Sequence, residues 1–337
     1  MIAALLRIAF LLALTAMVLV GLVVWDFQRF LDRPVNVQES RLFMIKTGAN
    51  FGQVSRKLAA EDIFPWRHHA EYFNWYARLN QRGGDIRSGE YEILANMTPR
   101  ALLDLFTSGK GIQHSLTVIE GWNFRQMMQK LADNGAIRHT LKNHRPDEVM
   151  RAIGHEGEHP EGRFFPDTYL FQRGTTDVEI LKRAYDTMAK LLDAEWQNRG
   201  DNLSVKTPYE ALILASIVEK ETAVAEERFQ IAGVFDRRLK KGMLLQTDPT
   251  VIYGIGEKFD GDIRFKDLRE DTPYNTYVRA GLPPTPICMP GKLALNAALH
   301  PADGDTLYFV ARGDGSHVFS TNLKDHNAAV RKYQLKR

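Results

Sequence analysis

The chain reads as an α+β protein carried behind a single membrane-spanning helix. Three observations give that class: one apolar run near the N-terminus, short strand patterns each followed by an amphipathic helix, and longer helical periodicities that close on a strand hairpin. Its 337 residues leave room for two domains with ordinary cores. A net charge of +3 with 25% charged residues marks neither a nucleic-acid stripe nor an acidic tail, so no nucleic-acid partner is expected. The lone cysteine, Cys288, excludes an intrachain disulfide and a cysteine metal cluster. It lies between Pro286 and Pro290 with no histidine pairing in view, and reads as a structural thiol.

Ile8–Trp25 is an apolar run of about 18 residues, the length a bilayer core requires. Arg7 precedes it and Trp25 closes it as an interfacial residue would. A cleavable signal peptide is the competing reading, but the run is long for one and no Ala-x-Ala site follows before Asp26. A retained anchor is expected. Arg29 and Arg33 are offset by Asp26 and Asp32, so the Arg7 stub sets the orientation: N-terminus in, the remainder on the far side.

A polar connector at Phe27–Glu39 leads into a repeating pattern of short strand, turn and amphipathic helix. The first copy is Leu42–Ile45 followed by a helix carrying Val54 and Leu58. The second is Gly89–Leu94, then Leu102, Leu103 and Phe106 on a helix stopped by Gly109. The third is Leu116–Glu120, Gly121, and a helix with Met127, Met128 and Leu131. Between the first two copies Phe73, Trp75 and Tyr76 read as core, with a sugar-stacking platform as the alternative. Further helices are expected at Asn123–Asp133, Asp147–Ile153, Asp177–Gln197 and Glu226–Lys240. A long Pro- and Gly-rich loop follows at Thr272–Pro290, and a hairpin pairs Thr306–Ala311 with Val318–Ser320.

The most informative helix begins at Pro208. Thr207 and Glu210 predict a capping box around it, and Leu214, Ile217, Val218 and Glu221 recur at i, i+3, i+4 and i+7. Glu219 would point roughly 200° away from Glu221, at about 100° per residue. One carboxylate therefore shares the apolar stripe, and desolvation there would raise its pKa toward that of a general acid at neutral pH. Solvation, or pairing with Lys220 or Arg228, is the plainer alternative. Gln246, Thr247, Asp248 and the Tyr274-Asn275-Thr276-Tyr277 run supply amides, hydroxyls and rings suited to holding a carbohydrate.

Other constellations carry less. His155-Glu156-Gly157-Glu158-His159 has the zincin spacing, but Gly154, Gly157 and Pro160 oppose the helix that chemistry needs. His300, His317 and His326 with Ser316 and Ser320 lack a nucleophile elbow. Gly254-Ile255-Gly256 lacks the rest of a dinucleotide loop.

The strings ASIVEKETAVAEER, LQTDPTVIYG, YNTY, GLPPTPI, ALHPADGDTLYFV and HVFSTNLKDHN, with Glu120–Gly121 and PEGRFFPDTYLF upstream, resemble the YceG-like endolytic murein transglycosylases. The resemblance covers nearly everything after the apolar run. It implies an anchor and connector over 1–34, a LysM-like module over 35–112 and a catalytic domain over 113–337. Carried over by motif, Glu221 is the catalytic residue, with Glu219 the lesser candidate, and Gln246, Asp248, Tyr274, Asn275 and Tyr277 are cleft residues. The implied reaction cuts the MurNAc–GlcNAc bond within peptidoglycan strands and leaves 1,6-anhydro-MurNAc ends, one glutamate serving as acid and then base. It needs neither metal nor cofactor. The implied setting is the cell inner membrane, single-pass, with the catalytic domain periplasmic and peptidoglycan synthases as partners. The alternatives are a hydrolytic muramidase, using Asp248 or Glu161 as second carboxylate, and a non-catalytic peptidoglycan-binding anchor.

Overall fold

The computed structural model describes residues 2–335, and they divide into two compact units. The smaller contains everything up to His114 together with Gln172–Gly174; the larger contains Ser115–Phe171 and the chain from Thr175 onward.

The smaller unit begins with α1 (Ile2–Asp32) and continues β1 (Arg41–Ile45), α2 (Phe51–Ala60), α3 (His69–Leu79), β2 (Gly89–Ile93) and α4 (Pro99–Ser108). Within Leu5–Asp32 an 18-residue window reaches a mean hydropathy of 2.7 with none of it buried, which fits a single-pass membrane anchor by length and composition. The expected connector is shorter than Phe27–Glu39, because α1 runs on to Asp32. Phe30 and Leu31 enter the core, and Asp32 accepts from Arg100 of α4 at 2.9 Å. Strands β1 and β2 pair antiparallel with Phe43 opposite Tyr91. Their inner face meets Leu58, Phe73 and Phe106, all buried. Trp75 departs from the core reading: it is 48% exposed, while Phe73 two residues earlier is fully buried. Helix α3 turns one face inward, and Trp75 lies off it.

The larger unit holds most of β3 (Gln113–Thr117), α5 (Phe124–Ala132), α6 (Pro146–Ala152), most of β4 (Thr168–Gln172), α7 (Asp177–Gln197), α8 (Pro208–Glu221), α9 (Glu227–Lys240) and α10 (Asp248–Ile255). It ends with α11 (Lys292–Leu299), the antiparallel hairpin β5 (Tyr308–Ala311) and β6 (His317–Ser320), and α12 (Leu323–Tyr333). The third strand falls earlier than Leu116–Glu120. The chain leaves the β3–β4 ladder after Val118 donates to Asp167 O, because Gly121 turns at φ 80 and its N–H binds Met289 O instead.

Helix α8 dominates this unit's core. Every residue from Ala211 to Val218 is buried, so the helix is surrounded rather than faced on one side. Leu192 of α7, Ile231 and Phe235 of α9, and Leu295 and Leu299 of α11 close around it. Thr207 caps it by accepting from Glu210 N at 3.1 Å, but the expected box is half-formed. The Glu210 carboxylate takes the Lys206 N–H at 2.5 Å instead of that of Thr207. Cys288 is buried against the same helix, its thiol donating to Ser216 O at 3.3 Å, and burial pushes that thiol up.

Gly162 joins the second core of this unit to the loop beside Cys288. It sits at φ 78, and a Cβ there would lie 2.5 Å from Pro286 Cβ. Gly162→Ala should therefore lower unfolding free energy by about 2–4 kcal/mol, from left-handed strain plus overpacking. Urea unfolding of the detergent-solubilised chain measures it, and a loss below about 0.5 kcal/mol would contradict this packing.

Candidate active site

Glu221 is the last residue of α8, where Thr222 leaves helical geometry at φ −147 and ψ 140. The carboxyl is partly buried and opens onto a cavity of about 440 Å³. Its Oε1 accepts from the Thr247 hydroxyl. Burial pushes Glu221 up to about 7 and Asp248 adds to the shift, while the Thr247 hydroxyl, His317 and Arg238 hold it back. A carboxyl poised there can give a proton at neutral pH and take one back.

Glu219 does not point to water, as a single apolar stripe would have it. Its side chain is only 6% exposed. Oε1 lies 3.3 Å from Arg228 Nη2, and Oε2 accepts from Gly291 N at 3.0 Å. Burial raises Glu219 too, against the opposing Gly291 N–H and Arg228. Both carboxylates of α8 are thus desolvated, because the helix is enclosed on all sides. Partners separate them: Glu219 ties α9 and the start of α11 to α8, whereas Glu221 meets a hydroxyl and the cavity.

The sequence-derived cleft residues divide. Gln246, Asp248 and Tyr277 line the Glu221 cavity, and the Tyr277 hydroxyl donates to Asp248 Oδ1 at 2.6 Å. Tyr274 does not line it. That ring is half-buried edge-on to Tyr253, with its hydroxyl 2.9 Å from Thr285 Oγ1. Asn275 is 1% exposed and points into its own loop, donating to Asp267 O and Glu270 O and accepting from Tyr277 N. It shapes the loop that presents Tyr277.

The cavity lining also includes Arg238, Tyr308, His317 and His326, which the sequence does not single out as cleft residues. Arg238 is buried on α9, donates to Leu245 O and Leu307 O, and lies over the Tyr308 ring at 5.0 Å. His317 begins β6, and its Nδ1 is 2.6 Å from Glu227 Oε2. His326 stacks on Tyr308 at 5.2 Å. A serine triad does not form: Ser316 Oγ binds Asp314 Oδ1 at 2.7 Å, and Ser320 is buried in β6. The available sequence signals are the HVFSTNLKDHN string, which carries His317 and His326, and the ALHPADGDTLYFV string, which carries Tyr308.

Glu161 lines a different cavity, of about 560 Å³, with Lys220 and Tyr253. Burial pushes it up to about 7, against donation from the Tyr253 hydroxyl and Phe124 N. The zincin-like string forms a loop turned by Gly154 and Gly157 at φ 90 and 88, with Glu158 bound to Arg163 and Tyr185.

The raised Glu221 has a stability consequence. The folded chain keeps a proton that the unfolded chain releases near pH 4.5, so stability falls as pH rises from there through about 7. Glu161 acts in the same direction. Glu221→Gln removes one share of that loss. At pH 8 the variant should exceed the parent by about 2–3 kcal/mol, and at pH 4.5 the two should nearly coincide. Urea midpoints at both pH values check it; an equal difference at both would mean Glu221 is not desolvated.

A family model described as the YceG-like family matches residues 43–332. An endolytic murein transglycosylase of Bacillus subtilis (strain 168) is 34% identical over 309 residues, covering 86% of this chain and 83% of that protein. One of Streptococcus pneumoniae serotype 2 (strain D39 / NCTC 7466) is 27% identical over 323 residues, covering 85% of this chain and 57% of the longer relative. Among solved structures, a 2.6 Å crystal structure of a YceG-like protein from Listeria monocytogenes aligns with TM-score 0.52 and 28% identity, covering 87% of this chain and 99% of that one.

Proposed function

The chain belongs to the YceG-like family, and from that premise we propose that it is a membrane-anchored endolytic murein transglycosylase whose proton transfers run through Glu221. It is an enzyme, a carbon–oxygen lyase acting on peptidoglycan, as its named relatives indicate. The observation that carries the assignment to Glu221 is a carboxyl held near 7 by burial, opening onto a cavity lined with polar and aromatic side chains.

Protonated Glu221 donates to the glycosidic oxygen between MurNAc and GlcNAc as the C1–O bond breaks and C1 takes on oxocarbenium character. The resulting carboxylate then takes the proton of the muramyl C6 hydroxyl, whose oxygen closes onto C1. The product ends in 1,6-anhydro-MurNAc, and Glu221 regains its starting proton. Asp248, fixed by the Tyr277 hydroxyl, puts a carboxylate beside the developing positive charge. His317, oriented by Glu227, favours the ionised form of Glu221 between the two steps. Gln246 and Tyr277 are placed to hold sugar hydroxyls and a ring face. Glu219 takes no proton in this scheme.

In the smaller unit, the β1-α2-α3-β2 order and its antiparallel strand pair support a LysM-like module that holds glycan, within 35–112. The apolar helix would anchor the chain in the cell inner membrane, N-terminus in, with the catalytic domain periplasmic. There it would release nascent strands beside peptidoglycan synthases. Recovery of a polymerase by crosslinking and co-purification tests that partnership, and repeated recovery of none counts against it.

Hydrolysis is the second reading, favoured by one observation: Asp248 shares the cavity and could activate water. Mass spectrometry of released muropeptides decides between them. Anhydro ends are expected; reducing ends, heavier by one water, would reassign the enzyme as a muramidase. Glu221→Gln should lower cutting at least 10²-fold while glycan binding persists. Unchanged cutting would remove Glu221 from the chemistry.

Thr247→Val tests the tuning. The Thr247 hydroxyl stabilises the carboxylate, so its loss should raise the Glu221 pKa and move the alkaline limb of the pH–rate profile to higher pH. A limb that stays in place would show that this limb reports another group.

A further inference from the structure

Outside the catalytic unit, one group of side chains has ligand chemistry that the reaction does not use. It sits in the smaller unit, where the apolar helix emerges. Asp26 follows Trp25 on α1, and His68 and His69 stand at the start of α3. One ligand atom from each of the three lies within 4.8 Å of the others, and His68 Nε2 is already 3.7 Å from Asp26 Oδ2. Tetrahedral zinc with bonds of about 2.0 Å separates its ligand atoms by about 3.3 Å, so small side-chain rotations would close the set.

Three further observations separate this group from a chance cluster of polar residues. His69 is 7% exposed, and its Nδ1 is buried with no hydrogen-bond partner among the described residues. Such a nitrogen is an unmet hydrogen-bonding demand. The His68 ring packs edge-on against that of His69 with centroids 4.5 Å apart, so the two imidazoles already stand side by side. The supporting layer is also built. The Tyr72 hydroxyl donates to Asp26 Oδ2 at 3.2 Å, and the Phe30 ring stacks on His69 at 4.4 Å.

We propose that Asp26, His68 and His69 form a binding site for a divalent transition metal of the zinc class, which pins α3 to the outer end of the membrane helix. Two imidazoles and a carboxylate suit zinc and leave a fourth position to water. The bound ion replaces a solvent-exposed Asp26–His68 contact with a bridge among three residues. It fixes the orientation of the small module on its anchor.

The test uses the full chain in detergent micelles, produced without a histidine tag and stripped with EDTA, with zinc chloride as the probe. Calorimetric titration should show one zinc per chain and a raised melting temperature that EDTA reverses. Asp26→Asn and His68→Gln should each abolish that binding; both positions are part-exposed, so the variants should fold, which circular dichroism checks. Tyr72→Phe, which removes only the hydrogen bond orienting Asp26, should weaken binding about tenfold. Absence of binding in the parent chain, or equal binding in the parent and in the Asp26→Asn/His68→Gln double variant, overturns the proposal and leaves a surface ion pair.

Discussion

The enclosure of α8 is the constraint on which the larger unit depends. A helix that is apolar on every side cannot lie on a surface, so α7, α9 and α11 must close around it. Its C-terminal end, however, carries Glu219-Lys220-Glu221, and the enclosure extends far enough to desolvate both carboxylates. Burying a charge without compensation is costly, so each must be neutralised, paired or kept protonated. The two glutamates meet that demand differently, and the difference defines the site.

Glu219 is met by charge and by backbone. Arg228 on α9 and the Gly291 N–H at the start of α11 hold it, so the ion pair is part of what joins three helices. Removing one partner would strand a buried charge, which makes Glu219 a structural element in its own right. Glu221 has no cation within bonding range among the described residues; Arg238 and His317 act on it only through space. Its demand is met by keeping its proton. A group that must hold its proton in the ground state, yet lies beside groups that favour the anion, is suited to passing that proton on and recovering it.

What could be read from the sequence follows from how local each signal is. Helix α7 runs Asp177–Gln197 as expected, because Thr176 and Glu179 form a complete capping box and the 3.6-residue period is unbroken. Helix α3 was missed because His68 offers no side-chain cap and its aromatic residues read as a core patch with no direction. Helix α10 was missed because eight residues including Thr250, Val251 and Ile252 do not distinguish a helix from a strand. At α8 the apolar period does not reveal that Glu219 is buried too, since a period cannot report that a helix is enclosed on every side, although the pairing with Arg228 that the sequence left open does form. At the site, Gln246, Asp248 and Tyr277 were legible from residue chemistry and motif. Arg238, Tyr308 and His317 lie far along the chain from α8, and only tertiary packing brings them to the same cavity.

The conformation of one exposed residue shows how the cavity is kept rigid. Gln246 has φ 50, a left-handed backbone that costs a non-glycine residue energy and persists only where surroundings impose it. The imposing contacts are visible: Gln246 N donates to Thr276 O at 3.0 Å, and Thr247 N donates to Thr276 Oγ1 at 3.1 Å. Thr250 Oγ1 completes the cluster with Thr247 O and Thr276 Oγ1. These buried threonines lock the loop before α10 to the loop carrying Tyr277, and so set where the Thr247 hydroxyl meets Glu221. Hydroxyls suit that task because each can donate and accept, satisfying neighbouring backbone groups without bringing in a charge. A lysine or arginine in place of Thr247 would hold Glu221 ionised. A methyl group in place of its hydroxyl would leave the acid more firmly protonated. The neutral hydrogen bond lies between those limits, where a single carboxyl can serve both halves of the proposed reaction.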